Sequence, residues 1–192
     1  MCKICSRFFR HHLRDEQKQL RLDACGELID NAHADPAFLD RIVTGDESWC
    51  YQYHSEIKLQ SSKWRSPSSP RQKKFRFEKS KIKVMLIAFF DCVGLVHHEF
   101  LPPNMTINGQ FYTEVLDRLQ KQICRVRPHF QQNGSWLLLH DNARPHNALP
   151  VRRFLAQHGV IEMQHSPYSP DLAPADFFPF PKLKNSLKGT RF

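Results

Sequence analysis

The sequence predicts an α/β fold, a mixed sheet flanked by helices, and three observations carry that prediction. Short apolar runs of strand length alternate with longer segments whose apolar residues recur at helical spacing. The longest apolar run, Val84 to Phe90, suits a buried strand and is far too short to span a bilayer. At 192 residues and 41% hydrophobic content, the chain can bury one ordinary core.

From about His12 to His33, Leu22, Cys25 and Leu28 or Ile29 recur among charged neighbours, which predicts an amphipathic helix. Arg41 to Ser48 reads as a short strand carrying TGDES, and Trp49 to His54 as its continuation or a second strand. Ser55 to Lys81 holds serines, two prolines and most of the basic charge. It has too few apolar residues for a core of its own and is expected to be an extended loop or hairpin. Val84 to Phe90 and Gly94 to Leu101 flank a turn at Asp91 to Gly94, predicting a β-hairpin. Beyond LPPNMTING, Phe111, Val115, Leu119 and Ile123 fall four apart, a helix packed on the sheet with Thr106 or Asn108 as its cap. Trp136 to His140 is a strand ending in Asp141. Asn147 to His158 reads as a helix with an Asn cap, Pro150 in its first turn and Gly159 at its end. Val160 to Met163 is another strand, and the elbow SPYSPDLAPAD leads into a final helix from about Asp176. Pro181 is expected to strain that helix by removing an internal hydrogen bond. This order is the ribonuclease-H-like one.

The net charge of +9 points to a polyanionic partner, because it is concentrated. Between Lys58 and Lys83 lie ten Lys or Arg residues and one acid, Glu78. Such a segment neutralises phosphates and gains affinity by counterion release, so nucleic acid is favoured over a membrane surface. The basic start, MCKICSRFFRHH, lacks the apolar stretch of a signal peptide, and an intracellular protein is expected. Six cysteines lie scattered at 2, 5, 25, 50, 92 and 124, with Cys92 and Cys124 read as small core residues. Cys2 and Cys5 form half of a zinc-type pattern that nothing nearby completes.

Three carboxylates stand out by position: Asp46 on the first strand, Asp141 directly after WLLLH, and Asp176 at the start of the last helix. In a sheet of this order the first and central strands are neighbours, with the last helix beside them, so the three can converge. Hard oxygen ligands of this kind suit two Mg²⁺ or Mn²⁺ ions, which support in-line displacement at phosphorus. Taken singly, each Asp also fits a helix cap or strand end. Glu47, next along the strand, is expected to point to the opposite face and is left out of the site.

The combination resembles a known family. TGDESW at 44–49, HDNARPH at 140–146 and SPYSPDLAPAD at 166–176 are similar to the three aspartate-bearing segments of mariner DNA transposases. Thirty-four residues separate Asp141 from Asp176, the mariner spacing, and KVMLIAFFDCVGLVHHEFLPP resembles the family's hairpin. The resemblance implies that Asp46, Asp141 and Asp176 ligate two ions, Mg²⁺ or Mn²⁺, for DNA strand cleavage and strand transfer. Asn142, Arg144 and His146, beside the second aspartate, would contact a phosphate, orient a carboxylate or serve structure. Asp171 would belong to the SPDLAP elbow. Trp64, Arg65, Lys73, Lys74 and Arg76 resemble the segment that reaches DNA and a partner subunit.

The resemblance further implies transposon ends and a TA target as DNA partners, a homodimer, and a nuclear setting. The linker that reads WVPH-x-L in the family is FFRHHL at 8–13, keeping His11 and Leu13. Residues 1–36 are thus expected to be the remnant of an interdomain linker plus a helix. Residues 37–192 are expected to be the ribonuclease-H-like catalytic domain with its basic loop at 55–83. The domain is expected to be cut short at both ends, without the family's helix-turn-helix modules ahead of it. The alternative is a catalytically inactive relic or domesticated DNA-binding protein.

Overall fold

The computed structural model describes residues 12–55, 66, 80–103 and 105–192. Cys2, Cys5 and the basic-segment residues Trp64, Arg65, Lys73, Lys74 and Arg76 lie outside the described residues.

Among the described residues, five strands form one mixed sheet in the order β3-β2-β1-β4-β5. Strand β1 (Ile42–Tyr51) runs unbroken through TGDESW. It pairs antiparallel with β2 (Lys83–Phe90), which pairs antiparallel with β3 (Leu95–Phe100) across the expected turn at Asp91 to Gly94. On its other side β1 pairs in parallel with β4 (Leu137–Leu139), and β4 with β5 (Ile161–Glu162). The ribonuclease-H-like α/β arrangement is therefore present, with the first and central strands adjacent.

One face of the sheet carries the main core. Helix α2 (Gly109–Val126) lays Tyr112, Val115, Leu116, Leu119 and Ile123 against Val43, Ile87, Phe89 and Leu138, and α3 (Leu149–Gln157) adds Val151, Phe154 and Leu155. Of the two expected caps for α2, Asn108 is the one used: its side-chain oxygen accepts the Phe111 N–H at 2.8 Å. In α3 the cap position falls to Ala148. Asn147 is otherwise engaged, its Nδ2 donating to the Ala143 carbonyl and its Oδ1 accepting from Arg152.

The other face is thinly covered. Leu86 and Ala88 meet Ala175 of α4 (Pro174–Phe177) and Phe180 of α5 (Pro179–Leu187). An apolar groove of about 1080 Å³ remains beside α5, lined among others by Met85, Phe100 and Leu183.

Three sequence expectations need correction. The expected final helix is two helices that break at Phe178. Pro181 is then the third residue of α5, where a backbone N–H has no intrahelical acceptor anyway, so no helical bond is lost. Helix α1 (Asp15–Ala34) forms, but it is not amphipathic in use: only Ala24 is buried, while Leu22 and Ile29 are 66% and 56% exposed. One of its long-range ties is polar, the Arg21 guanidinium on the Asp171 carboxylate. Cys92 is exposed at the hairpin turn and Cys124 is half-buried, so neither is a core residue. Cys25, Cys50, Cys92 and Cys124 are all free thiols.

The glycine of TGDES is a packing requirement. Gly45 sits opposite Phe89 in the β1–β2 register, and a β-carbon there would lie 2.2 Å from the Phe89 ring. Phe89 is fully buried and cannot swing away without opening the core. Gly45→Ala is expected to cost about 1–3 kcal/mol in urea unfolding, as overpacked cores do. Wild-type stability in that variant would show that Phe89 has room the packing does not reveal.

Candidate active site

Asp46 lies on the α4 side of β1, and Glu47 on the α2 side, as strand alternation requires. Asp141 lies two residues past β4, the parallel neighbour of β1, and Asp176 in the first turn of α4, which packs on β1. All three aspartates line one cavity of about 670 Å³, together with Glu47, Asn142, His165, Ser166 and the elbow 167–170. The larger apolar groove beside α5 holds none of them. The chemistry therefore points to the smaller cavity.

The carboxylates feel one another. Burial pushes Asp46 up to about 7; the Glu47 N–H on its Oδ1 at 2.7 Å opposes this, and negative Glu47, Asp176 and Asp141 add to it. Asp176 is raised by burial and by Asp141, with Lys184 and His165 opposing. Asp141 goes the other way, held low first by its bond to His146 and next by the Ala143 N–H at 3.0 Å, which together outweigh burial.

His146 is the hub. Its Nδ1 lies 2.7 Å from Asp141 Oδ1 and its Nε2 3.1 Å from Glu47 Oε1, with only 2% of the side chain exposed. Burial lowers its basicity, but the two carboxylates prevail and raise it to about 10. The two carboxylates thus favour the imidazolium, the form that donates from both nitrogens.

The elbow is shaped for the site as well. Tyr168, which lines the cavity, adopts φ of +54°, a left-handed conformation costly for a residue with a β-carbon. Ser169 and Pro170 then open the short 3₁₀ turn that carries Asp171 to Arg21. This agrees with the elbow role expected for Asp171.

A transposase family described as "Transposase (partial DDE domain)" matches residues 54–133. The chain is 34% identical over 193 residues to the human (Homo sapiens) histone-lysine N-methyltransferase SETMAR, covering 99% of this chain and 27% of that protein. It is 33% identical over 187 residues to the mariner Mos1 transposase of Drosophila mauritiana, covering 97% of this chain and 53% of that one. The crystal structure of the Mos1 catalytic domain superposes with a TM-score of 0.77 at 30% identity, over 96% of this chain and 78% of that one. The chain belongs to the mariner transposase family. A Mos1 paired-end complex with Mn superposes over the whole chain with a TM-score of 0.85 at 32% identity, covering 55% of that chain. The chain thus spans about half of Mos1 and about a quarter of SETMAR.

In this mariner domain the three aspartates expected from the motifs share one cavity wall. Among the residues flanking Asp141, His146 binds its carboxylate, and Asn142 Nδ2 donates to the His165 carbonyl, tying the second motif to the third. Arg144 is exposed. Sequence reasoning left out Glu47, whose face was rightly read but whose side chain reaches His146, and it did not single out His165 or Ser166. The signal for Glu47 was its adjacency to Asp46; for the other two it was their place just before and at the start of the elbow.

The donor set fits a divalent cation in chemistry. Hard carboxylate oxygens are what Mg²⁺ and Mn²⁺ take. The mutual repulsion that lifts Asp46 is what a cation would relieve. Two buried polar atoms on the wall, His165 Nε2 and Ser166 Oγ, lack a partner among the described residues, which suits a site built around an added ligand. Among the described residues no group of three or more His, Cys, Asp or Glu side chains is gathered tightly enough to hold an ion as it stands.

Proposed function

We propose that this chain is the catalytic domain of a cut-and-paste transposase, which cleaves and rejoins DNA strands using two Mg²⁺ or Mn²⁺ ions at Asp46, Asp141 and Asp176. The observation that carries the reading is the shared cavity: three aspartates from β1, the loop after β4 and α4 meet there, with Asp46 raised to about 7 by burial and its acidic neighbours. The Mos1 structures solved as paired-end DNA complexes and with Mn or Mg support the same chemistry for this relative.

Divalent ions in such a site supply Lewis acidity, easing deprotonation of a water or 3′-hydroxyl and offsetting charge on the leaving oxygen. The chain's own residues do the rest. Asp46 and Asp176, carried on β1 and on α4 against it, hold fixed oxygens, while Asp141 is oriented by His146. Asn142 holds the 165–166 wall in place. In cleavage a water oxygen bonds to phosphorus as the P–O3′ bond breaks. In strand transfer the freed 3′-hydroxyl attacks a target phosphodiester and displaces another 3′-oxygen.

DNA is the macromolecular partner in this reading. The basic segment that carries Trp64, Arg65, Lys73, Lys74 and Arg76 supplies phosphate contacts, and transposon ends and a TA target supply the substrates. A second copy of the chain and a nuclear setting complete the proposal. Among the described residues no helix is long and apolar enough to cross a membrane.

The test is nicking of supercoiled plasmid by purified protein in Mg²⁺, Mn²⁺ or EDTA, beside Asp141→Asn. Metal-dependent nicking lost in the variant is expected. Nicking that survives in Asp141→Asn, or none from folded wild-type protein, overturns the reading.

A further inference from the structure

We propose that Glu47 and His146 form a clamp that positions the Asp141 carboxylate, which makes Glu47 a positioning residue of the metal site; the inference rests on the three-aspartate reading above. Asp141 needs such help because it lies beyond the end of β4, where no ladder hydrogen bond fixes its backbone. The turn after it folds back, with the His146 N–H on the Ala143 carbonyl at 3.0 Å. That return places Nδ1 of the ring 2.7 Å from Asp141 Oδ1 and 3.2 Å from the Asp141 carbonyl oxygen.

One ring nitrogen on one carboxylate would still leave the imidazole free to rotate about χ2. Glu47, 99 residues away on β1, removes that freedom by accepting from Nε2 at 3.1 Å. The ring plane is fixed as well. Tyr112 packs on it with centroids 4.0 Å apart, and His140 stacks nearly parallel at 4.9 Å. Those two rings are themselves bound: the Tyr112 hydroxyl meets His140 Nδ1 at 3.0 Å, and His140 Nε2 meets Glu162 Oε1 at 3.0 Å. Asp141 is thus tied through His146 to β1, α2 and β5. A carboxylate that must receive a cation without reorganising gains from such support, since the cost of ordering it is met in folding. Glu47 reaches the site from the sheet face opposite Asp46, so adjacent residues of TGDES serve one centre from two sides.

The test is Mn²⁺ affinity by titration calorimetry on the full chain, with the thermal midpoint of the metal-free protein measured alongside. Wild type, Asp141→Asn, Glu47→Gln, Glu47→Ala and His146→Gln are compared. Glu47→Ala is expected to weaken Mn²⁺ binding by about 10- to 100-fold, and Glu47→Gln, which keeps an acceptor oxygen, by less. Glu47→Gln is near-isosteric and decides the matter if Glu47→Ala fails to fold. Wild-type Mn²⁺ affinity in both folded Glu47 variants, with binding lost in Asp141→Asn, overturns the clamp and leaves the metal reading standing. Lowered thermal midpoints with unchanged affinity would make the pair purely structural, which also overturns it. If Asp141→Asn binds Mn²⁺ as wild type does, the three-aspartate reading falls and the clamp falls with it.

Discussion

Replacing Asp46 with Asn is expected to stabilise the metal-free protein while abolishing DNA nicking. Asp46 stands at about 7 in the fold against an ordinary value of 3.8, chiefly because burial disfavours its charge and because Glu47, Asp176 and Asp141 repel it. The sign follows from proton linkage. The folded state holds its proton up to higher pH than the unfolded chain does, so stability falls as pH rises from about 4 to about 7 and stays reduced above that. The full difference corresponds to at most about 4 kcal/mol, and about 2 is a realistic share given solvent access to the cavity. Asn keeps the shape and removes the charge. At pH 8 in EDTA, Asp46→Asn should therefore unfold several degrees above wild type, and the gap should close near pH 5. Adding Mn²⁺ should raise the midpoint of wild type and not of the variant, since only a folded site binds the ion. A variant less stable than wild type at pH 8 would mean that Asp46 makes favourable contacts that outweigh its repulsion, and that the cavity is not poised for a cation.

The same electrostatics explain why His146 is buried as an imidazolium. Four carboxylates face or flank the cavity, and His146 neutralises part of that charge by binding Asp141 and Glu47 together. The site divides its acids accordingly. Glu47 and Asp141 are satisfied by a protein cation, whereas Asp46 and Asp176 are raised in the fold. In the proposed mechanism the second pair must be charged to hold cations, and stability is spent on it.

Much of this was legible in sequence, because the signals were local. The hairpin followed from two apolar runs around Asp91 to Gly94, and α2 from residues four apart beginning at Phe111. TGDES, HDNARPH and SPYSPDLAPAD placed the aspartates on a strand, just past a strand and at a helix start, positions that this sheet order brings together. What sequence could not supply was mostly long-range. That Glu47 matters depends on His146 returning across the sheet edge, 99 residues away. The spacing of Leu22 and Ile29 looks amphipathic, but whether a helix face is buried depends on a partner surface, and among the described residues α1 has little. Asn147 was a reasonable cap by type, yet its side chain is engaged by Ala143 and Arg152. The strain expected at Pro181 depended on where the helix starts, and Pro179 restarts it two residues earlier. Most of the basic segment, the strongest compositional signal for DNA, lies outside the described residues.

The largest loss of stability is expected at Arg127, which does not line the cavity. Asp91 opens the β2–β3 turn with its side chain 1% exposed, and its carboxylate is fully engaged. The Val93 and Gly94 N–H groups donate to Oδ1 at 2.9 Å each, Arg127 Nε to Oδ2 at 2.6 Å and Nη2 to Oδ1 at 3.1 Å. Arg127 caps the C-terminal end of α2, so one ion pair fastens the hairpin to the helix that covers the core. Burial alone would raise Asp91, but Arg127 and the two amides outweigh it and hold the carboxyl below its ordinary value. Its contribution is therefore present above about pH 4 and lost as pH falls through the depressed value. Arg127→Ala leaves a buried carboxylate with two amides and no cation, and should cost about 3–5 kcal/mol at pH 7 in urea unfolding. Asp91→Asn in the same background should recover part of that loss, because the orphaned charge disappears even though the bond to Arg127 does not return. Lowering the pH should also shrink the Arg127→Ala penalty as Asp91 takes up its proton. If the double variant were no more stable than Arg127→Ala alone, the cost would lie in the helix end and not in the stranded carboxylate. The hairpin and α2 would then be joined by their apolar contacts, with the ion pair only decorating the joint.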